Sequence, residues 1–289
     1  MKQKLFTGAC TALVTPFYDG QINYPMLEKI LTRQIDAGIK AIVLAGTTGE
    51  ASTLTDQEKA ELIHIAKSFV GNACMIIAGS GSNSTAHAVS LSVAAEQAGA
   101  DALLIVSPYY NKATSDGLIA HFSLIAEAVS IPMILYNVPS RTGLDMPVSV
   151  YSALSQIPKI AGVKEASTDI TKVTRVRQSC QSDFAVWSGN DELTVPVISL
   201  GGQGVISVLS NIVPAEVSAM VNAALDGDLD TATYLQIQLQ PLCDLLFCEV
   251  NPIPVKVAMK YMGYDCGECR LPLTCLSKTN QERMQKFFS

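Results

Sequence analysis

Eight short runs of apolar, often β-branched residues recur along the first two thirds of this chain of 289 residues. They cover residues 9–14, 41–45, 74–79, 102–106, 133–137, 160–164, 184–188 and 204–208. Consecutive runs begin 20 to 33 residues apart, which leaves room for a helix between most neighbours. Because the runs show little polar alternation, they are typical of strands buried on both faces, as in parallel sheets.

Helical patterns fill the intervals between these runs. The clearest covers residues 55–70, where Thr55 and Glu58 form a capping box and apolar residues, including Leu62 and Phe69, share one face. Residues 83–98 and 115–129 show similar patterns. Eight strands alternating with helices favour an α/β fold of the (β/α)8 TIM-barrel type over an open doubly wound sheet, which usually has fewer strands.

The pattern changes after the eighth run. Helical periodicity continues without another strand through residues 214–225, 228–249, 253–262 and 277–288. A barrel needs about 250 residues or fewer. We therefore predict a catalytic barrel over residues 1–212 and a C-terminal helical region over residues 213–289 that packs on it, with no low-complexity linker between them.

Composition excludes several classes of function. The chain has 20 Lys and Arg against 26 Asp and Glu, a net charge of −6, and no dense basic stripe, which argues against a nucleic-acid partner. No stretch approaches the roughly 20 apolar residues of a membrane span. The N-terminus contains no apolar signal core, and the eight cysteines show no framework spacing. We therefore expect reduced thiols and a cytoplasmic protein.

Two glycine-rich segments follow predicted strands. Residues 46–50, with the sequence GTTGE, combine a tight turn with hydroxyls and amides that suit a small carboxylate, and the alternative is an ordinary glycine-rich strand-to-helix turn. Residues 79–84 begin like a dinucleotide fingerprint, but Ser84 stands in place of the third glycine. We predict no nucleotide cofactor.

Lys164 and Tyr136 stand at the ends of the sixth and fifth predicted strands. A lysine at the mouth of a barrel is suited to attack a carbonyl, and a neighbouring phenol can shuttle protons during imine formation. The alternatives are a lysine paired with a carboxylate at the barrel rim and an ordinary buried tyrosine. The sequence alone leaves these alternatives open.

Other polar and aromatic residues allow two interpretations. Arg141 can clamp a carboxylate or be a solvated loop charge. The two tyrosines of residues 108–111 can mark an interface or pack in the core. Cys266 and Cys269 form a CxxC pair for which surface thiols are a simpler interpretation than zinc. His64, His87 and His121 lack metal-ligand spacing, so we predict no metal site.

Four segments together carry a family resemblance. Residues 46–50 (GTTGE), 136–143 (YNVPSRTG), 163–166 (VKEA) and 251–256 (NPIPVK) resemble the dihydrodipicolinate synthase family, which belongs to the class I pyruvate-dependent aldolases and is related to N-acetylneuraminate lyase. The similarity runs from about residue 7 to residue 273. It implies a barrel enzyme that uses neither a metal nor an organic cofactor.

The resemblance also implies roles for individual residues. Lys164 would form a Schiff base with pyruvate, Tyr136 would donate and accept protons, and Thr47 would link Tyr136 to a Tyr110 from the neighbouring subunit. The implied substrate contacts are Thr48 for the pyruvate carboxylate, Arg141 for the carboxylate of L-aspartate 4-semialdehyde, and the backbone carbonyl of Ile206. The product would be 4-hydroxy-tetrahydrodipicolinate, in the diaminopimelate route to lysine.

The choice within this superfamily depends on two positions, residues 47–48 and Arg141. Sialic-acid lyases usually have Ser-Thr where this chain has Thr47 and Thr48. They also lack an arginine at the place of Arg141, and a neutral sugar needs no cation there, so we favour the synthase. The alternatives are an N-acetylneuraminate or 2-oxo sugar acid lyase and, from another class, an oxo-acid sensor without turnover. The presence of both Lys164 and Tyr136 argues against the sensor.

The resemblance also implies an assembly and its regulation. Family members are usually homotetramers built as dimers of dimers. Lysine-inhibited members hold lysine with a histidine and a glutamate where this chain has Lys59 and His87. Because these two residues oppose binding of a cationic amino acid, we expect weak or absent lysine feedback.

Overall fold

The computed structural model describes residues 5–289, so residues 1–4, which open the predicted first domain, lie outside the described residues. Eight parallel strands close into a barrel, which confirms the predicted TIM-barrel fold. The barrel strands are β1 (Gly8–Ala12), β4 (Ala41–Leu44), β5 (Met75–Gly79), β6 (Ala102–Val106), β7 (Met133–Asn137), β8 (Ile160–Glu165), β9 (Ala185–Ser188) and β10 (Gly204–Ser207). A two-stranded hairpin that the sequence did not reveal, β2 (Phe17–Tyr18) and β3 (Gln21–Ile22), lies outside the barrel.

Helices surround the barrel and continue beyond its last strand. They are α1 (Tyr24–Asp36), α2 (Asp56–Val70), α3 (Thr85–Gln97), α4 (Ser115–Ala128), α5 (Pro139–Thr142), α6 (Val148–Leu154), α7 (Thr171–Ser179), α8 (Thr194–Ser199), α9 (Pro214–Leu225), α10 (Leu229–Leu246), α11 (Ile253–Tyr261) and α12 (Lys278–Phe288). Short 3-10 turns cover Asp191–Leu193 and Leu209–Asn211. Among the described residues, none of these helices is both long and apolar enough to cross a lipid bilayer.

Helix α2 begins at the predicted capping box. The Thr55 hydroxyl accepts a hydrogen bond from the Glu58 N–H at 3.1 Å, and the Glu58 carboxylate accepts one from the Thr55 N–H at 2.8 Å. Leu62 is buried as predicted, but Phe69 is 42% exposed, so its assignment to the buried face was wrong. The buried face is narrower than the apolar pattern suggested.

The core has two layers, because successive strand side chains point to opposite faces. Apolar side chains inside the barrel form one cluster, which includes Cys10, Tyr136, Trp187 and Ile206. A larger cluster lies between the strands and the helices. Gly162 is required on β8, since a Cβ there would approach the Ala185 carbonyl oxygen of β9 to 2.2 Å.

The C-terminal helices pack against the barrel and against one another. Helix α9 lies on β1, where it closes the outer ring of helices, and α10 packs against α9 and α8. Helix α11 contacts α10 and α12. The division of the chain at residue 212 stays a prediction.

The two cysteines of the CxxC pair were predicted to lie at the surface, and this prediction was wrong for Cys266. Cys266 is buried, with its sulfur 3.9 Å from the Met259 sulfur, and Cys269 is half-buried. Burial raises the pKa of both thiols to about 12. The segment that follows α11 folds back over the protein. Cys266 is therefore buried although it lies in a polar loop.

Candidate active site

Lys164 and Tyr136 are direct neighbours at the mouth of the barrel. They are paired residues in the register of β8 and β7, so both side chains lie on the same face of the sheet. Lys164 is 5% and Tyr136 7% exposed. The Lys164 ammonium nitrogen lies 4.3 Å from the centroid of the Tyr136 ring. The amine and the phenol predicted to share one site are therefore brought together.

In the part of the chain that the structure describes, Lys164 is not paired with a carboxylate. Within residues 5–289, no Asp or Glu oxygen lies within 4.0 Å of its Nζ. The adjacent Glu165 points to the opposite face of β8, where it accepts hydrogen bonds from Asn137 Nδ2 at 2.8 Å and the Tyr151 hydroxyl at 3.0 Å. The rim ion pair considered as an alternative is absent there, and the Lys164 amine is available for chemistry.

The loop that follows β4 presents Thr47 and Thr48 to the same cavity. Ala45 and Glu50, at its two ends, adopt positive φ angles of 49° and 58°. Non-glycine residues rarely adopt this conformation, so the surrounding contacts must maintain it. The loop is therefore a constrained element rather than a pliable glycine-rich turn.

One buried contact of this loop comes from the C-terminal region. Glu50 Oε1 lies 2.6 Å from Lys256 Nζ on α11, and both side chains are almost fully buried. Glu50 Oε2 accepts a hydrogen bond from the Arg270 N–H at 2.8 Å. Two of the sequence segments that carried the family resemblance are thereby joined by a buried ion pair.

Asn251 is a site residue to which the sequence analysis gave no role. Its Nδ2 donates to Thr48 Oγ1 at 2.9 Å, and its backbone carbonyl accepts a hydrogen bond from Arg141 Nη2 at 3.3 Å. Its Oδ1 is buried and has no hydrogen-bond partner in the described part of the chain. One indication of Asn251 was available in the sequence, because it lies in the segment at residues 251–256 that carries the family resemblance. No local pattern links Asn251 to Thr48.

Arg141 lies in a short helix rather than in the loop we predicted. Helix α5 ends at Gly143, which adopts a left-handed conformation with φ 67° and donates its N–H to the Pro139 carbonyl. The guanidinium is exposed at the rim of the cavity that contains Lys164. The rim of this cavity therefore has a cationic group, of the type that binds carboxylates bidentately in proteins.

These side chains surround one cavity of about 620 Å³ at the C-terminal ends of the strands. Five of the predicted site residues line it: Thr47, Thr48, Tyr136, Arg141 and Lys164. The side chain of Ile206 is instead fully buried inside the barrel. The contact predicted for its backbone carbonyl stays a prediction.

Tyr110 does not reach this cavity in its own chain. Its side chain is 93% exposed, and its φ of 71° is unusual for an aromatic residue. Core packing, one of the two alternatives for this residue, is therefore excluded within the chain. A strained backbone that projects a large aromatic ring into solvent is typical of an interface.

A second cleft of about 370 Å³ adjoins the first and shares Thr47, Tyr136 and Arg141 with it. Lys59 and His87 lie on its far side. His87 Nε2 is 2.9 Å from a carboxylate oxygen of Asp56, and Lys59 Nζ is 3.8 Å from the other oxygen. Burial lowers the pKa of Lys59.

The sequence is closely similar to known proteins over its whole length. The 4-hydroxy-tetrahydrodipicolinate synthase of Thermoanaerobacter sp. (strain X514) is 47% identical over 286 residues, covering 99% of this chain and 96% of that protein. The protein of the same name from Methanosarcina mazei is 49% identical over 282 residues, covering 97% and 96%.

The fold is equally similar to solved structures. The structure of the enzyme from Cyanidioschyzon merolae with lysine bound superposes with a TM-score of 0.94 and 40% identity, covering 98% of this chain and 97% of that one. The Dihydrodipicolinate synthetase family matches this chain over residues 5–289. With the paired lysine and tyrosine at the barrel mouth, this match shows that the chain belongs to the Dihydrodipicolinate synthetase family.

Proposed function

We propose that this chain condenses pyruvate with L-aspartate 4-semialdehyde to give 4-hydroxy-tetrahydrodipicolinate, a lyase reaction of the diaminopimelate and lysine pathway, and that Lys164 forms the Schiff base. Family membership supports the reaction. The single observation that supports the residue assignment is the unpaired, buried Lys164 amine 4.3 Å from the Tyr136 ring.

The chemistry begins at the Lys164 amine. It adds to the ketone of pyruvate, and loss of water leaves an iminium that withdraws electrons from the adjacent methyl group. Loss of a methyl proton gives an enamine, whose carbon attacks the aldehyde of the second substrate, and the aldehyde oxygen becomes a hydroxyl. The amino group of the second substrate then displaces Lys164 and closes the ring.

Each of these steps moves a proton, and Tyr136 would move it. Its ring lies against the Lys164 amine, which supports this role, because a tyrosine positioned beside a reacting group can act as a general acid or base. Thr47, on the wall of the same cavity, would connect Tyr136 to Tyr110 of a second subunit. The exposure and positive φ of Tyr110 support its role at an interface.

Two residues would bind the carboxylates of the substrates. Thr48 is buried in the cavity wall and would bind the pyruvate carboxylate, whereas Arg141 at the rim would bind the carboxylate of the semialdehyde. A sugar lyase has a neutral substrate at the second position and gains nothing from a cation there. The rim position of Arg141 therefore supports the synthase over the sugar acid lyase.

The assembly we propose is a homotetramer made of two dimers. Completion of the active site by Tyr110 needs the dimer at least. We also propose a cytoplasmic location, because all eight cysteines are free thiols, a state maintained in reducing compartments.

Lysine feedback in this chain would be weak or absent. A relative from Cyanidioschyzon merolae has been solved with lysine bound. In this chain the second cleft is lined by Lys59, whose ammonium would repel a cationic ligand, and the nearby Asp56 carboxylate already contacts His87. Activity should persist in millimolar lysine, and inhibition by half would reject the proposal.

The deciding experiment follows pyruvate consumption with two aldehydes in parallel. Turnover with aspartate semialdehyde alone is expected, whereas turnover with N-acetylmannosamine alone would establish the lyase. Borohydride should trap a reduced pyruvyl adduct on Lys164 in the wild type and none in Lys164→Met. Binding of pyruvate without adduct or turnover would support the sensor.

A further inference from the structure

We infer that Asn251 is a positioning residue that directs the hydroxyl proton of Thr48 into the cavity, toward the carboxylate of pyruvate. This inference rests on the proposed function, because it assumes that Thr48 binds that carboxylate. Asn251 would act through Thr48 and would not need to contact the substrate. Asn251 lies in the connection between α10 and α11, outside the barrel strands.

The first step is the direction of the hydrogen bond. Asn251 Nδ2 is a donor, so Thr48 Oγ1 accepts it at 2.9 Å. A hydroxyl has one proton, and within residues 5–289 the Thr48 side chain has no other hydrogen-bond partner. Because the amide occupies one lone pair of the oxygen, the proton is left to point elsewhere. The open side of Thr48 is the cavity that contains Lys164.

The second step is what the orientation of the amide decides. Asn251 is 5% exposed, its Nδ2 faces Thr48, and its Oδ1 is buried with no hydrogen-bond partner in the described part of the chain. A reversed amide would accept the threonine proton through Oδ1 and leave the hydroxyl unable to donate to an anion.

The third step is the consequence for binding. A hydroxyl that donates to a carboxylate makes a charge-assisted hydrogen bond, which is stronger than a neutral one. A hydroxyl free to rotate, or one turned toward Asn251, offers the carboxylate a lone pair for part of the time. Loss of the asparagine donor should therefore weaken pyruvate binding by about ten-fold.

The test measures the pyruvate concentration that gives half-maximal trapping of the Lys164 adduct by cyanoborohydride, without aldehyde. Asn251→Leu and Asn251→Asp both keep the shape of the side chain and remove its donor. Both are expected to raise this concentration about ten-fold. The Arg141 contact uses the backbone, so the aldehyde KM of Asn251→Leu at saturating pyruvate should stay near the wild-type value. Asn222→Asp, on an exposed position of α9, is the control for added charge.

A double-mutant cycle with Thr48→Val separates positioning from general damage. If Asn251 acts through Thr48, adding Asn251→Leu to Thr48→Val should change the half-saturating concentration by less than two-fold. Full additivity would overturn the inference. An effect of Asn251→Asp without one of Asn251→Leu would mean charge repulsion, and a lower half-saturating concentration in Asn251→Leu would mean a reversed amide. Either result, or no effect of both variants, would overturn the inference. Failure of the wild type to form any adduct would instead reject the proposed function.

Discussion

Lys256 and Glu50 form a buried ion pair, with 2.6 Å between Nζ and Oε1, although 206 residues separate them in the chain. Glu50 ends the loop that presents Thr47 and Thr48, and Lys256 lies on α11. Buried ion pairs are poor sources of net stability, but breaking one leaves an uncompensated charge in the interior. This pair therefore makes the geometry of the loop dependent on the C-terminal helices.

Replacing Lys256 with Met should destabilise the protein and reduce its activity. The change leaves the Glu50 carboxylate buried without its cation, which costs about 3–5 kcal/mol of unfolding free energy. Urea unfolding followed by circular dichroism measures the loss. Lys260→Met is the matched control on the same helix, since Lys260 is exposed and its pair with Asp265 contributes about 0–1 kcal/mol. Equal losses in the two variants would contradict the importance of the buried pair.

Two inactive variants should restore activity to each other if Tyr110 acts across a subunit interface. A mixed dimer of Tyr110→Phe with Lys164→Met contains one site with an intact lysine and an intact tyrosine from the partner. Co-expression with different affinity tags, followed by assay of the doubly purified species, measures this recovery. The pair Tyr136→Phe with Lys164→Met provides the control, because both residues line one cavity of one chain. Absence of recovery in the test pair, as in the control, would mean that Tyr110 serves the site of its own subunit.

Arg141→Met should weaken the second substrate selectively. Loss of a charge-assisted hydrogen bond to the semialdehyde carboxylate is expected to raise the KM for the aldehyde about 10- to 100-fold. The exposed guanidinium has little part in pyruvate binding, so half-maximal trapping of the Lys164 adduct should stay unchanged. Arg175→Met, at an exposed position of α7, is the control. A larger effect on pyruvate than on the aldehyde would contradict the assignment.

His121 should make the stability of the protein fall in mild acid. Burial lowers its pKa to about 4, while its Nδ1 lies 2.9 Å from the Thr85 hydroxyl. The unfolded chain binds a proton near pH 6.5 and the folded chain does not, so stability is full above that pH. It then decreases toward pH 4 by at most about 1.4 kcal/mol per pH unit. Urea unfolding at several pH values should show a shallower slope in His121→Gln, but not in His64→Gln, which alters an exposed histidine.

The sequence predicted the features that arise from local patterns. Strands β6 and β7 begin and end where the apolar runs do, and the Thr55–Glu58 capping box is present. The hairpin of β2 and β3 was missed, because two residues per strand are too few to show a periodicity. Phe69 was misplaced, because periodicity reports which face is apolar but not how wide the covered part of that face is.

The residues of the proposed site could be predicted from the sequence, but the contacts that hold them in place could not. Lys164 and Tyr136 stand at strand ends, and a barrel brings strand ends together. The contact between Asn251 and Thr48 spans 203 residues, and nothing in either segment indicates the other. Such contacts depend on how the C-terminal helices pack, which a single sequence does not specify.

The long separation between Glu50 and Lys256 also sets an order of events during synthesis. Chains emerge from the ribosome N-terminal end first, and segments fold as they become available. All eight barrel strands are complete at residue 207, when the partner of Glu50 has yet to be made. At that stage the nascent barrel contains the Glu50 carboxylate but not the Lys256 ammonium with which it pairs in the interior. The loop that presents Thr47 and Thr48 is therefore among the last parts of the molecule to reach its final form, and a ribosome stalled before residue 256 should display a barrel whose proposed site is incomplete.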